Sequence, residues 1–196
     1  MSVLRPDLAA IAEAIAPGTR VLDIGCGDGT LLGELRATKQ VDARGIEIDP
    51  ACVERCVAQG LSVVQGDADS ALADYPDKGF DYAVLSQTLQ TAVRPDRMLD
   101  ELLRVGTRAF VSFPNFAHWR TRAALLVGGR MPVTRSIPVS WYETQNIHHV
   151  TIADFRDLAR EKAATIERDW YFSHQRPIAR IGANARAEFA VFELSR

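Results

Sequence analysis

The sequence predicts an α/β protein with a doubly wound, mostly parallel sheet of seven strands whose final strand is antiparallel. Short apolar segments alternate with segments of helical spacing, which is typical of β-α-β units with right-handed crossovers. A glycine-rich turn at 25–29 separates the first strand, Val21–Ile24, from the helix that follows. The next two strands end in acidic residues. In a parallel sheet these positions meet at one edge, where such sheets bind ligands.

Local signals predict the elements up to residue 113. Pro6 suits the first turn of a helix, and Asp49 with Pro50 supplies an N-cap and a first-turn proline for a helix that Gly60 stops. Pro95 opens a further helix. We predict helices over 6–16, from the glycine turn to about 36, over 50–59 and over 95–105, a short helix or turn at 70–75, and strands at 21–24, 44–47, 61–65, 80–85 and 108–113.

The pattern is less regular after residue 113. Asn115 is positioned to cap a helix through Val127, with apolar residues at 119, 123, 126 and 127. Thr151 and Asp154 form a near capping box for a later helix. The last two strands are predicted as an antiparallel hairpin at Ile166–Phe172 and Glu188–Leu194.

Composition limits the class of protein. The chain has 196 residues, of which 47% are hydrophobic and 24% charged, and this favours one well-buried domain over two. A net charge of −2 gives no argument for nucleic acid or an anionic membrane. No apolar run approaches the roughly 20 residues that span a bilayer, and the N-terminus lacks a signal-peptide pattern. We expect one cytoplasmic domain over residues 1–196, without nucleic-acid or membrane partners.

The three cysteines favour a reducing compartment, because their number is odd and their spacing is not that of a secreted scaffold. Cys52 and Cys56 lack further ligands nearby, so we interpret them as small buried or half-buried side chains and expect no metal. Cys26 belongs to the glycine turn, where its backbone matters more than its thiol.

The glycine turn and the acidic strand ends predict a nucleotide-type ligand. Gly25, Gly27 and Gly29 allow a backbone to turn sharply and to approach a ligand closely. Glu47 stands about 20 residues further on, where nucleotide-binding folds place the carboxylate that binds ribose hydroxyls. A dinucleotide fingerprint requires glycine at position 30, whereas this chain has Thr30, so NAD is disfavoured. The alternative is a tight turn that binds no ligand.

These motifs resemble those of class I S-adenosylmethionine-dependent methyltransferases, which have a Rossmann-like sheet. The resemblance implies that the glycine turn passes under the methionine part of the ligand and that Asp23 orients its amino group. It also implies that Glu47 holds the ribose hydroxyls and that Asp67 accepts from the adenine amino group. The implied residues for S-adenosylmethionine or S-adenosylhomocysteine are Asp23, Gly25, Cys26, Gly27, Asp28, Gly29, Glu47, Ile48, Asp67, Ala68, Ser86 and Gln87.

The segment from Leu102 to Tyr142 contains no Asp or Glu, although it carries several arginines and the aromatic residues Trp119 and Trp141. Aromatic residues with arginine are enriched in interface hot spots. Three interpretations remain: a lid or pocket for an anionic substrate, a docking surface for an acidic protein, or an ordinary solvated helix face. We place an inserted lid or partner-docking segment at about 114–146. The arginines are Arg104, Arg108, Arg120, Arg122, Arg130 and Arg135.

Candidate catalytic groups are few. His118 and His149 are available as bases, but neither belongs to a recognisable catalytic pair. A His-His doublet before a helix is more often a loop or capping element than a base. We leave the catalytic residues unassigned, with His118 and His149 as the candidates.

Longer segments are similar to the methionine biosynthesis protein MetW family. The family resemblance implies a protein partner, a homoserine O-acetyltransferase or O-succinyltransferase, which the chain would bind and support. Our leading hypothesis is an accessory protein that senses S-adenosylmethionine or its demethylated product. The alternative is a methyltransferase whose small substrate enters beneath residues 114–146. The segments that carry the resemblance are 21–29, 45–49, 65–69, 85–90, 112–120 and 141–149.

Overall fold

A single sheet runs through the computed structural model of the chain, which describes residues 4–134, 140 and 143–196. Arg135, Trp141 and Tyr142, named above, lie outside the described residues. The strands in the described part are β1 (Arg20–Ile24), β2 (Asp42–Glu47), β3 (Ser62–Gln65), β4 (Phe80–Ser86), β5 (Gly106–Pro114), β6 (Thr165–Ser173), β7 (Arg176–Pro177) and β8 (Phe189–Ser195).

The helices lie on both faces of the sheet. The described ones are α1 (Pro6–Ala14), α2 (Thr30–Lys39), α3 (Pro50–Ala58), α4 (Ala68–Ala71), α5 (Pro95–Val105), α6 (Trp119–Gly128), α7 (Ile152–Glu161) and α8 (Ala183–Arg186), with 3₁₀ turns at Leu72–Asp74 and Leu89–Thr91.

The strand order is β3-β2-β1-β4-β5-β8-β6-β7. The five strands from β3 to β5 in this order are parallel, and β8 is antiparallel to both β5 and β6. The predicted doubly wound, mostly parallel sheet with an antiparallel end is therefore confirmed. The described residues form eight strands rather than the predicted seven. The additional strand, β7, pairs with the end of β6 over two residues and is too short to show an alternating pattern.

Neighbouring residues of β1 belong to opposite layers of the core. Leu22 belongs to the core cluster that includes residues of α5 and α7, whereas Val21 belongs to the cluster that includes residues of α1 and α2. A strand that is apolar on both faces is typical of a central parallel strand. The resulting sandwich places the carboxyl ends of β1, β2 and β4 at one edge, beside the glycine turn.

The helix predicted to have Asn115 as its N-cap begins three residues later than expected, at Trp119. His118 is the N-cap of α6, and its Nδ1 atom accepts a hydrogen bond of 3.4 Å from the Arg120 N–H. Asn115 is buried, and its side-chain amide donates to the carbonyl oxygens of Asn184 at 3.0 Å and Ala187 at 2.9 Å. The prediction was wrong because the Asn115 side chain is hydrogen-bonded to carbonyl groups that are distant in the sequence. The local sequence pattern does not reveal these partners.

The cap predicted at Thr151 is confirmed. Its hydroxyl oxygen accepts a hydrogen bond of 3.2 Å from the Asp154 N–H, at the start of α7. Such side-chain caps satisfy backbone donors that a helix cannot satisfy internally.

Candidate functional site

The glycine turn after β1 is hydrogen-bonded to the end of β2. The Gly27 N–H donates to Glu47 Oε2 at 2.7 Å, and the Asp49 N–H donates to Oε1 of the same carboxylate at 2.9 Å. Gly25 and Gly27 have φ angles of 72° and 58°, a region that favours glycine. Glu47 is buried. Its carboxylate therefore holds the turn in place as well as facing the strand-end cleft.

A side chain at Gly25 would meet a neighbour. A Cβ atom there would lie 2.5 Å from Thr88 Oγ1, whereas one at Gly27 would meet nothing within 4 Å. Gly29 has another role: it precedes α2, and a Cβ atom there would lie 2.9 Å from Cys56 Sγ on α3. The glycines thus serve close packing at 25 and 29 and leave open space at 27.

Asp23 is a buried carboxylate at the end of β1. Its Oδ1 atom has no hydrogen-bond partner among the described residues. Burial raises the pKa of Asp23 to about 7, against the opposing charge of Arg5 and with support from the nearby Glu47 and Asp7 carboxylates. Unsatisfied buried polar atoms are rare in folded proteins, and this oxygen lies at the first cavity with a hydrogen-bonding position unused.

Two cavities adjoin at Gly25. The first, of about 310 Å³, is lined by Asp23, Cys26, Gly27, Asp28 and Ser86 among the predicted residues. The second, of about 450 Å³, is lined by Glu47, Ile48, Asp67, Ala68 and Gln87. Both volumes lie in the range of roughly 300–1,000 Å³ that is usual for small-molecule sites. The structure therefore brings together the predicted residues except Gly29, which packs against α3 instead.

The residue pair Arg5 and Asp7 was missed by sequence reasoning. Asp7 is fully buried, and its Oδ2 atom accepts hydrogen bonds of 3.0 Å from the hydroxyls of both Ser86 and Ser112 and one of 3.1 Å from Arg5 Nη2. Arg5 also donates to Ser86 Oγ at 2.9 Å and lines the first cavity. This network joins α1 to the carboxyl ends of β4 and β5. An acid in a first helical turn has an ordinary explanation in the helix dipole, so the sequence carried no distinct signal.

The segment before α7 reaches the second cavity through Gln145, which belongs to the predicted 114–146 segment but was not among the predicted site residues. The Gln90 carbonyl oxygen accepts hydrogen bonds from the Ile147 N–H at 2.9 Å and the His148 N–H at 3.0 Å. These contacts place Gln145 in the lining of the second cavity. Gln87 at the same cavity has a φ angle of 54°, and such strained backbone is concentrated at functional sites.

The two histidine candidates lie elsewhere. His118 is buried as the cap of α6, and burial lowers its pKa. His149 packs edge-on against Phe116, with ring centroids 4.7 Å apart, beside a different cavity that includes Leu89 and Pro95. Among the described residues, the linings of the two strand-end cavities include neither histidine. The described residues of the two cavities can bind and orient a ligand, and Asp23 is the carboxyl among them whose pKa is raised to about 7.

The cysteines behave as expected. Cys26 and Cys56 are buried, and Cys52 is half-buried. Burial raises the pKa of the Cys26 thiol, so it is neutral at physiological pH.

The described part of the chain contains no group of three or more His, Cys, Asp or Glu side chains that could hold a metal. It also contains no helix long and apolar enough to cross a membrane.

Solved structures share this architecture. An S-adenosylmethionine-dependent methyltransferase from Archaeoglobus fulgidus matches with a TM-score of 0.73 and 14% identity, over 98% of this chain and 92% of that one. Another from Mesorhizobium loti matches with a TM-score of 0.72 and 19% identity, over 97% of this chain and 96% of that one. The chain therefore has the fold of class I S-adenosylmethionine-dependent methyltransferases.

Sequence comparison is more specific. The model of the family described as methionine biosynthesis protein MetW matches residues 5–194, and the chain belongs to this family. A bifunctional methionine biosynthesis protein MetXA/MetW from Rhodopirellula baltica is 33% identical over 178 residues, which are 86% of this chain. The chain spans 29% of the length of that relative. The family predicted from the sequence is thus confirmed.

Proposed function

We propose that the chain is an accessory protein of methionine biosynthesis that binds S-adenosylmethionine or S-adenosylhomocysteine and supports a homoserine O-acyltransferase. The observation that carries the proposal is the relative from Rhodopirellula baltica, whose name describes a bifunctional methionine biosynthesis protein that joins MetXA and MetW. Two functions fused in one relative are expected to work side by side when they occupy separate chains. The acyl group of the partner, acetyl or succinyl, is left open.

The first cavity fits the methionine end of the ligand. The unpartnered Asp23 Oδ1 would accept a hydrogen bond from the ligand ammonium group, and the Arg5 guanidinium at the same cavity would pair with the ligand carboxylate. The open space in front of Gly27 leaves room for the chain between them.

The second cavity fits the adenosine end. Glu47 uses each carboxylate oxygen for one backbone N–H, and each oxygen retains a lone pair for a ribose hydroxyl. Asp67 and the Ala68 N–H would contact the adenine edge. Ile48 is 63% exposed, and a purine ring stacked on it would cover this apolar surface.

An accessory role is favoured over free-standing catalysis because the linings of the two cavities carry ligand-binding groups but neither of the histidine candidates among the described residues. Bound S-adenosylmethionine supplies an electrophilic methyl group. The polar side chains of Ser86, Gln87 and Thr88, which line the cavities at the end of β4, are neutral and can orient a ligand. Proton removal requires a group with a pKa near the working pH, and the group of this kind in the first cavity, Asp23, is the one that we assign to the ligand ammonium.

The alternative remains a methyltransferase that acts on a small molecule. The observation in its favour is that the two cavities contain nearly the whole cofactor-binding set implied by the methyltransferase resemblance. Gln145 from the segment before α7 also contributes to the cavity lining, as a residue that covers a substrate would.

Light scattering on a mixture with the homoserine acyltransferase of the same organism tests the proposal. We expect a complex whose mass equals the sum of the two components in a fixed ratio. In parallel, S-adenosylmethionine with a labelled methyl group is incubated with the chain and with homoserine or its acyl ester. Absence of a complex together with label transfer would overturn the accessory role and support the alternative.

A further inference from the structure

The helix α6 is poorly covered by the rest of the described chain. Of its ten residues, only Thr121 is buried. Leu126 and Val127 are 88% and 87% exposed, and the Trp119 side chain is 54% exposed. A helix of this length is marginally stable in water on its own. Large apolar side chains that are exposed together often mark a surface that binds another molecule.

Two arginines in or next to α6, Arg120 and Arg130, have no acidic partner among the described residues. The Arg120 guanidinium lies over the Trp119 ring, 5.4 Å from its centroid. Neither Arg120 nor Arg130 forms an ion pair with any carboxylate among the described residues, and both are exposed. The whole stretch from 102 to 142 lacks Asp and Glu. The complementary surface must therefore bring acidic groups of its own.

We propose that α6 docks into an apolar groove of the homoserine acyltransferase and that carboxylates at the edge of this groove pair with the arginines. This inference rests on the proposed function. The α6 face is defined here as Trp119, Arg120, Leu126, Val127 and Arg130. A helix that inserts apolar anchors into a groove is a recurrent mode of recognition, and Trp with Arg is typical of interface hot spots.

Two other roles fit the α6 face less well. As a lid over the ligand, α6 would line the strand-end cavities, but no described α6 residue does so. In a symmetric dimer of this chain, a two-fold axis through the face would bring identical patches together. Each copy would then bring arginines and no carboxylate of the α6 face to the contact, which like-charge repulsion disfavours.

Matched variants test the docking face. Leu126→Ser with Val127→Ser removes both apolar anchors, and Ile181→Ser is the control because Ile181 is also 87% exposed but lies before α8. Arg120→Glu reverses one charge, and Arg176→Glu in β7 is its control, since Arg176 is exposed and forms no ion pair among the described residues. All these side chains face solvent, so each variant is expected to keep the melting temperature of the wild type.

Calorimetric titration of the purified acyltransferase with each variant measures the affinity of the variant for the acyltransferase. We expect the double serine variant and Arg120→Glu each to weaken the affinity at least about tenfold, as interface anchors do. The two controls should bind like the wild type. Affinity should also fall as salt is raised, because the arginine pairs at the rim are screened.

The outcomes separate this inference from the proposed function. If the wild type binds and the α6 variants bind equally well, the docking face is wrong while the accessory role stands. If the wild type does not bind, both are overturned. Vesicles of neutral and anionic lipid provide a further comparison: variants that lose vesicle binding but keep acyltransferase affinity would assign the α6 face to a membrane surface and contradict the proposal.

Discussion

Gly27 and Glu47 are joined by a hydrogen bond of 2.7 Å from the Gly27 N–H to Glu47 Oε2, so one carboxylate connects the glycine turn to the end of the neighbouring strand. The other oxygen of the carboxylate accepts from the Asp49 N–H at 2.9 Å, at the start of α3. Glu47 thus fixes two loops that border the same cleft. Loss of its carboxylate would remove a proposed ligand contact and loosen the turn together.

Glu47→Ala is expected to weaken S-adenosylmethionine binding at least about tenfold. A charge-assisted hydrogen bond in a buried site contributes on the order of 1.5–3 kcal/mol, which corresponds to tenfold or more in the dissociation constant. Calorimetric titration measures the effect. Asp42→Ala is the control, because Asp42 is exposed at the opposite end of β2. Unchanged affinity in Glu47→Ala would remove Glu47 from the ligand site.

Ligand affinity should depend on pH through Asp23. Because its pKa is raised to about 7, the carboxyl is mostly protonated in the free protein at pH 6. The ligand ammonium favours the ionised form, so binding below pH 7 releases a proton. The association constant should rise with pH between about 5.5 and 7, by up to roughly tenfold per pH unit, and flatten above 7.

Titration of the wild type and of Asp23→Asn across this range checks the assignment. The asparagine variant has no carboxyl to ionise, so its weaker binding should lack the rise. Calorimetry in two buffers of different ionisation enthalpy should detect the released proton for the wild type alone. An equal pH slope in both proteins would show that another group is responsible.

Asp7→Ala is expected to destabilise the fold by about 1–3 kcal/mol. The substitution leaves the Ser86 and Ser112 hydroxyls and the half-exposed Arg5 guanidinium without their shared acceptor, and loss of one partner from a buried hydrogen-bonded network carries a cost of this order. Urea denaturation measures the loss. Glu13→Ala is the matched control on the same helix, because Glu13 is exposed. If both variants show an equally small decrease in the free energy of unfolding, Asp7 does not anchor α1.

His149→Ala is expected to leave support of the acyltransferase within about twofold of the wild type. In the structure this histidine packs against Phe116 and lies outside both strand-end cavities. An aromatic contact of this kind contributes about 0.5–1.5 kcal/mol to packing, so some loss of stability is expected. A loss of label transfer in His149→Ala, with ligand binding intact, would instead favour a catalytic base.

The strand-end motifs could be predicted because each depends on short-range chemistry. Asp49 and Pro50 mark the start of α3, and the Asp49 side chain indeed accepts from the Ala51 N–H at 3.0 Å. The glycine positions follow from backbone angles that other residues rarely adopt. The family was recognisable because long segments, including 112–120, carry it.

The remaining features depend on contacts between distant segments. Asp7 accepts hydrogen bonds from hydroxyl groups about 80 and 105 residues away in the sequence. Asn115 donates hydrogen bonds to carbonyl groups about 70 residues away. Local rules assign both residues to helix starts, because acids and asparagine are favoured there. The dual role of Glu47 was hidden for the same reason, since its partner Gly27 belongs to another strand-end loop.

The rate of homoserine acylation, measured with the acyltransferase of the same organism in the presence and absence of the chain, tests the central claim most directly. The account predicts a higher rate of acylation when the chain is added. The rate should stop rising once the chain and the acyltransferase are present in the stoichiometric ratio of their complex. A rate that is the same with and without the chain, in samples that include S-adenosylmethionine and S-adenosylhomocysteine, would contradict the accessory role.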